Sequence, residues 1–124
     1  MPNLESYVHD QLELNSREED DSVTIRFSGK SILRDPAEFL MPILIRALES
    51  AEKSEKRLVM DFCALAYMNS STLTPVIKVL ERARLGEGRV TALYKKGLKW
   101  QHISFSALSI FQTPDGRIEI KGVE

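Results

Sequence analysis

Cysteine is almost absent from this chain: of 124 residues, only Cys63 carries a thiol. That excludes an intrachain disulfide framework and a cysteine-built zinc cluster. Long apolar runs are missing as well. None approaches the roughly 20 residues that a helix needs to cross a bilayer. The first residues show no basic segment followed by an apolar one, as a secretory signal would. The cytoplasm, with no membrane association, is the expected address. Charge of one sign is also lacking: 17 Lys and Arg stand against 18 Asp and Glu, a formal net charge of −1, with a pI near 6.2. Nucleic-acid binders carry a basic patch or stripe, so no nucleic-acid partner is expected. His9 and His102 lie far apart, without cysteine or carboxylate at ligand spacing, so neither a metal nor any other cofactor is expected. Gly29, Gly86 and Gly88 are isolated turn glycines, which leaves no Gly-rich phosphate loop.

What remains is ordinary globular composition, 43% apolar and 28% charged. The length suits a single domain over residues 1–124 with one core. Two stretches of strand character, Tyr7 to Leu14 and Val23 to Phe27, flank the charge run Arg17-Glu-Glu-Asp-Asp21, which reads as a hairpin with a charged loop. Asp35-Pro36-Ala37-Glu38 is a helix start: Asp35 can cap, Pro36 suits the first helical position, and Glu38 completes a capping box. Apolar residues follow at helical spacing from Phe39 to Ala51. Pro42 interrupts them, which predicts a kink there or a true start near Met41. Arg57 to Phe62 reads as a buried strand. The next helix, ended by Gly86-Glu-Gly88, turns Leu73, Val76, Ile77, Leu80 and Ala83 inward. Arg89 to Tyr94 is a strand. Leu98 to Phe111 is a third helix with Trp100, Ile103, Ala107 and Ile110 in its core row. Arg117 to Ile120 is a last strand. The expected fold is therefore α/β, in the order β-β-α-β-α-β-α-β, with a mainly parallel sheet and an antiparallel N-terminal edge strand.

The most informative stretch is Leu58 to Leu73. It begins apolar, reaches a polar tip at Asn69-Ser70-Ser71-Thr72, and leads into a helical pattern. Pro75 has no N–H and belongs in the first helical turn, which puts the cap between Ser71 and Thr74. Ser70 then stands exposed just before it, with Ser71 the expected cap. In parallel sheets functional sites gather at the carboxyl ends of strands. Hydroxyls at a helix start are also good phosphoacceptors, because the free N–H groups accommodate added negative charge. A purely local capping role for these serines and threonines is the competing reading.

These residues resemble the motif of the STAS domain, the fold of bacterial anti-sigma-factor antagonists and of sulfate-transporter cytoplasmic tails. That family carries a strand ending in Asp-Leu-Ser, then Asp-Ser-Ser-Gly-Leu at a helix start. Its counterparts here are Asp61-Phe62-Cys63 and Asn69-Ser70-Ser71-Thr72-Leu73. Asn69 replaces the family's Asp and Thr72 its Gly, and a related set of STAS-like regulators carries Asn-Ser-Ser or Asn-Thr-Ser at this place. The resemblance implies a STAS-like fold and a non-catalytic regulator, phosphorylated on Ser70, with Ser71 and Thr72 as alternative acceptors. It implies that Asn69, Ser70, Ser71 and Thr72 bind the partner. The implied partners are a serine kinase of the anti-sigma, histidine-kinase-like ATPase type and a metal-dependent serine/threonine phosphatase. The alternative is a small-molecule or lipid-binding STAS module, or an accessory subunit of a transporter complex.

No enzyme is expected, since Asp61 has no second carboxylate or His in sequence to form an acid–base pair. Cys63 reads as a small buried hydrophobe rather than a reactive thiol. Lys95, Lys96 and Lys99 form a small basic cluster, either a solvated loop or a docking patch beside the tip.

Overall fold

A computed structural model describes residues 4–124, so the first three residues of the expected 1–124 domain lie outside it. The strands are β1 (Leu4–His9), β2 (Leu12–Glu18), β3 (Ser22–Ser31), β4 (Arg57–Met68), β5 (Arg89–Lys95) and β6 (Ile118–Val123). The helices are α1 (Pro36–Lys53), α2 (Leu73–Leu85) and α3 (Lys99–Ser106). A 3-10 turn, Ser70–Thr72, leads into α2, and a second, Ala107–Phe111, continues α3.

The six strands form one mixed sheet in the order of the sequence, β1-β2-β3-β4-β5-β6. The pairs β1/β2 and β2/β3 are antiparallel, and the other three are parallel. Each parallel crossover steps one strand in the same direction. Right-handed crossovers that all advance one way place their helices on one face. The burial pattern agrees. The cross-strand rows Val23–Leu58–Val90–Ile118 and Ile25–Met60–Ala92–Ile120 are buried beneath the helices. The rows behind them, Thr24–Val59–Thr91–Glu119 and Arg26–Asp61–Leu93–Lys121, belong to the opposite face. There Arg26, Glu119 and Lys121 are exposed.

The structure corrects the sequence reading in four places. Tyr7 to Leu14 is not one strand but two, β1 and β2, joined through Asp10-Gln11. Asp10 takes φ 59, a conformation its short polar side chain tolerates. The order is therefore β-β-β-α-β-α-β-α-β. A turn without Gly or Asn-Gly gave no strong signal in the sequence.

Second, α1 starts at Pro36, not near Met41, and continues through Pro42. The Pro42 ring is on the exposed side, where water can serve the Glu38 carbonyl left without a donor. The expected capping box is not formed, and the Asp35 carbonyl instead accepts the Glu38 N–H at 3.3 Å.

Third, the buried residues of α2 include Val79 beside Val76, Leu80 and Ala83, while Leu73 and Ile77 are only half-buried.

Fourth, most of the expected row of the third helix faces outward, and only Trp100 of it packs against the core. Gln101, Phe105 and Leu108 are buried, whereas Ile103 is 61% and Ile110 75% exposed. A glutamine does not announce itself as a core residue, and the apolar row is the stronger signal in the sequence. Phe105 completes an aromatic stack: its ring lies 4.4 Å from Phe62, which lies 4.5 Å from Phe27.

Candidate functional site

The tip at Asn69 to Thr72 is positioned by the far end of β4. This strand pairs with β3 as far as Met68 but with β5 only as far as Asp61. Register shifts against β3, between Arg26 and Ser28 and between Gly29 and Lys30, each leave an extra residue in β4. Such bulges bend a strand and leave carbonyls without ladder partners. Gln101 supplies what the ladder lacks. Its Nε2 donates to the carbonyls of Phe62 at 2.7 Å and Leu65 at 2.9 Å. Its Oε1 accepts the Lys95 N–H at 2.7 Å. A fully buried side chain from α3 thus bridges β4 and β5 beyond the end of their ladder. Asp61 serves the same bend, with Oδ1 accepting the Cys63 N–H at 2.9 Å.

Beyond Met68 the chain is fixed by a relay of polar groups. The Asn69 N–H donates to the Ser31 carbonyl at 2.9 Å. Asn69 Nδ2 donates to the Leu33 carbonyl at 2.9 Å, and its Oδ1 accepts the Thr72 hydroxyl at 2.8 Å. Ser31 Oγ and Thr72 Oγ1 are 2.6 Å apart. Because the Thr72 proton is committed to Asn69, Ser31 is the donor in that pair. The relay Ser31→Thr72→Asn69→Leu33 ties the ends of β3 and β4 and the segment leading to α1 to the turn before α2. Ser31 and Thr72 are fully buried, and Asn69 is half-buried.

Ser70 and Ser71 are exposed on this fixed turn. Of the four residues expected at a partner surface, these two face outward, while Asn69 and Thr72 act as internal scaffold. The Thr72 hydroxyl has no exposure and is hydrogen-bonded twice, so Ser70 and Ser71 carry the accessible hydroxyls of the tip. The boundary residue of α2 is Thr72, within the expected range of Ser71 to Thr74 but not Ser71 itself. The 3-10 turn before it has Asn69 at its boundary, and no side-chain cap bond is made at Asn69 or at Thr72.

The remaining candidates fall elsewhere. Cys63 is half-buried, and burial, followed by the hydrogen bond to Asp61, pushes its thiol up to about 11. It is a poor nucleophile at neutral pH. Lys95, Lys96 and Lys99 are exposed, with Lys96 3.3 Å from Glu124. His9 packs edge-on against Phe39, and His102 lies on the outer side of α3 beside Tyr94. Among the described residues no group of three His, Cys, Asp or Glu is placed to hold a metal ion. A groove of about 540 Å³, lined by Glu52, Glu55, Lys56, Glu87, Gly88 and Arg89, lies at the opposite end of β4 from the tip.

Sequence reasoning missed Ser31, Gln101 and two arginines. Arg57 donates to the carbonyls of Val90, Gly116 and Arg117, and Arg117 to those of Ala83, Arg84 and Gly88. A polar residue whose partners lie far away in sequence leaves no mark in local sequence. The sequence matches no protein-family model and no curated protein.

Proposed function

We propose that this chain is a non-catalytic, phosphorylation-switched regulator of the anti-sigma-factor-antagonist kind, with Ser70 as the acceptor. The observation that carries the proposal is the contrast within four residues. Ser70 is exposed on the first helical turn, while Asn69 and Thr72 beside it are locked by the relay from Ser31. A kinase reaches the hydroxyl without disturbing the fold. Phosphate adds up to two negative charges at a helix start, where the dipole and unpaired N–H groups favour them. The same charge is costly inside a partner interface that offers it no cation. The switch thus acts by local repulsion and needs no refolding. The partners proposed are a serine kinase of the anti-sigma ATPase type and a serine/threonine phosphatase, in the cytoplasm.

Phosphopeptide mass spectrometry of the protein from its native cells, with binding measured against the kinase it co-purifies with, tests the reading. One phosphate is expected, on Ser70. Ser70→Ala should abolish it and keep the partner-binding form, and Ser70→Glu should weaken binding. A phosphate on Ser71 alone would move the site by one residue. No phosphate, together with equal binding by wild type and Ser70→Glu, would overturn the reading.

A second reading, a binding module for a small polar molecule, rests on the groove between Glu52 and Arg89. Its charged lining suits a polar ligand and does not suit an acyl chain.

A further inference from the structure

Sheet edges carry unpaired backbone donors and acceptors, so proteins usually cover or blunt them. The two edges of this sheet are treated differently. At β6 the chain covers its own edge. The Thr113 hydroxyl accepts the Ile118 N–H at 3.0 Å, Gln112 Oε1 accepts the Ile120 N–H at 3.0 Å, and the Thr113 N–H donates to the Ile118 carbonyl at 3.2 Å. At β1, among the described residues, no strand and no side-chain hydrogen bond takes the corresponding place.

The geometry of β1 says which groups face outward. His9 and Leu12 flank the Asp10-Gln11 turn, and the residues flanking such a turn are a hydrogen-bonded pair. By alternation, Glu5, Tyr7 and His9 turn their backbone groups to β2. Leu4, Ser6 and Val8 turn theirs to the free edge. The strand mixes the polar side chains of Glu5, Ser6 and His9 with the apolar Tyr7 and Val8. Val8 is 66% exposed, and Tyr7, Phe39 and Ile43 are only partly covered. Beside Tyr7 and Ile43 a pocket of about 90 Å³, lined also by Glu5, Glu18 and Arg46, lies over Val23 and Ile25, which stay buried.

We propose that β1 pairs antiparallel with β1 of a second copy of this chain, joining two six-stranded sheets across a two-fold axis at Tyr7. The strand is self-complementary in that register. Tyr7 faces the second copy's Tyr7 on the helix side, next to this pocket. Glu5 faces the second copy's His9 on both sides of the axis, an acceptor against a donor. Ser6 faces Val8 on the open side, and their outward N–H and carbonyl groups make the ladder bonds. No like charges meet. Centring the axis on Ser6 instead removes both Glu5–His9 pairs. The contact is one short strand with flanking side chains, below the size of a standard interface, so the dimer is weak and concentration-dependent.

Sedimentation velocity of the full chain, from micromolar to near-millimolar concentration, is the test. The mass should rise from monomer toward dimer. Val8→Lys, at an exposed edge position, should leave the circular dichroism spectrum unchanged and hold the protein monomeric. In a Cys63→Ser background, Tyr7→Cys should form a reducible covalent dimer on mild oxidation. A facing non-hydrogen-bonded pair brings Cα atoms to about 4.5 Å, within disulfide range. Ser6→Cys should not. A wild type that stays monomeric throughout, a Val8→Lys variant that dimerises like wild type, or Ser6→Cys linking as readily as Tyr7→Cys would each overturn the proposal.

Discussion

Replacing Asn69 by Asp, the residue that the STAS-domain motif carries there, should destabilise this protein at neutral pH. Asn69 uses both ends of its amide: Oδ1 accepts from Thr72 at 2.8 Å, and Nδ2 donates to the Leu33 carbonyl at 2.9 Å. An aspartate keeps the first bond and loses the second. It then sets a carboxylate oxygen against a carbonyl oxygen. The lost bond is worth about 1 kcal/mol net, and the unpaired carbonyl and the repulsion add about 1–2 kcal/mol. Because the position is half-buried, water screens part of this, and a total of about 1–3 kcal/mol is expected, out of a domain stability of about 5–15 kcal/mol. The effect must depend on pH. Repulsion raises the carboxyl's folded-state pKa above its unfolded value of about 3.9. The native state then holds more protons than the unfolded state between the two values. The variant's stability is greatest below about 3.9 and falls as pH rises through the raised folded value. When protonated, the introduced carboxyl can again donate to the Leu33 carbonyl. Urea denaturation of wild type and variant across the acidic range measures the difference directly. A variant as stable as wild type at pH 7, or a deficit that does not shrink as pH falls, would refute the relay.

Gln101→Leu should cost about 3–5 kcal/mol by urea denaturation, since it strands two carbonyls and an N–H in the interior, each worth about 1–3 kcal/mol. Leu80→Ala, at a fully buried position of α2, should cost about 2–5 kcal/mol, and a loss below about 1 kcal/mol would mean the helix face is misassigned. Ile103→Ser should change stability by less than about 0.5 kcal/mol, whereas Phe105→Ala should cost about 3–5 kcal/mol, which separates the two rows of α3. Cys63 should react slowly with a thiol reagent at neutral pH and faster as pH rises toward 11, because the thiolate is scarce below that value.

The elements that advertised themselves in sequence were those with a period. Strand β5 and the Val76, Leu80 and Ala83 positions of α2 fell where alternation and helical spacing put them, because burial of one face forces that pattern, whereas β4 runs on from the expected end at Phe62 to Met68. The α1 start at Pro36 was likewise marked by its proline, although the cap bond it suggested is not made. Two features stayed hidden for opposite reasons. The Asp10-Gln11 turn carries neither Gly nor Asn-Gly, so the short polar break at His9-Asp10-Gln11 did not read as a hairpin turn. In α3 the apolar period is real, but of its row only Trp100 packs against the core while Ile103 and Ile110 are exposed, because Gln101 takes the place beneath β4 and β5.

The tip shows a similar division. That Ser70 stands exposed after a buried strand could be read from the polar break between two apolar segments. That Asn69 and Thr72 do not share its exposure could not, because what distinguishes them is a third residue, Ser31, distant in sequence and brought alongside by the β3/β4 ladder. This changes the meaning of the departures from the STAS-domain motif. An aspartate and a glycine at these places would supply neither the amide donor to Leu33 nor the hydroxyl that links Ser31 to Asn69. Asn69 and Thr72 are coupled to each other, so placing either motif residue here alone leaves a polar group of the relay unpaired. A double-mutant cycle on Asn69→Ala and Thr72→Val should therefore show a coupling energy of about 0.5–3 kcal/mol, the range for residues that share one network. Additive effects would mean that the two substitutions are independent and that the relay does not hold the turn.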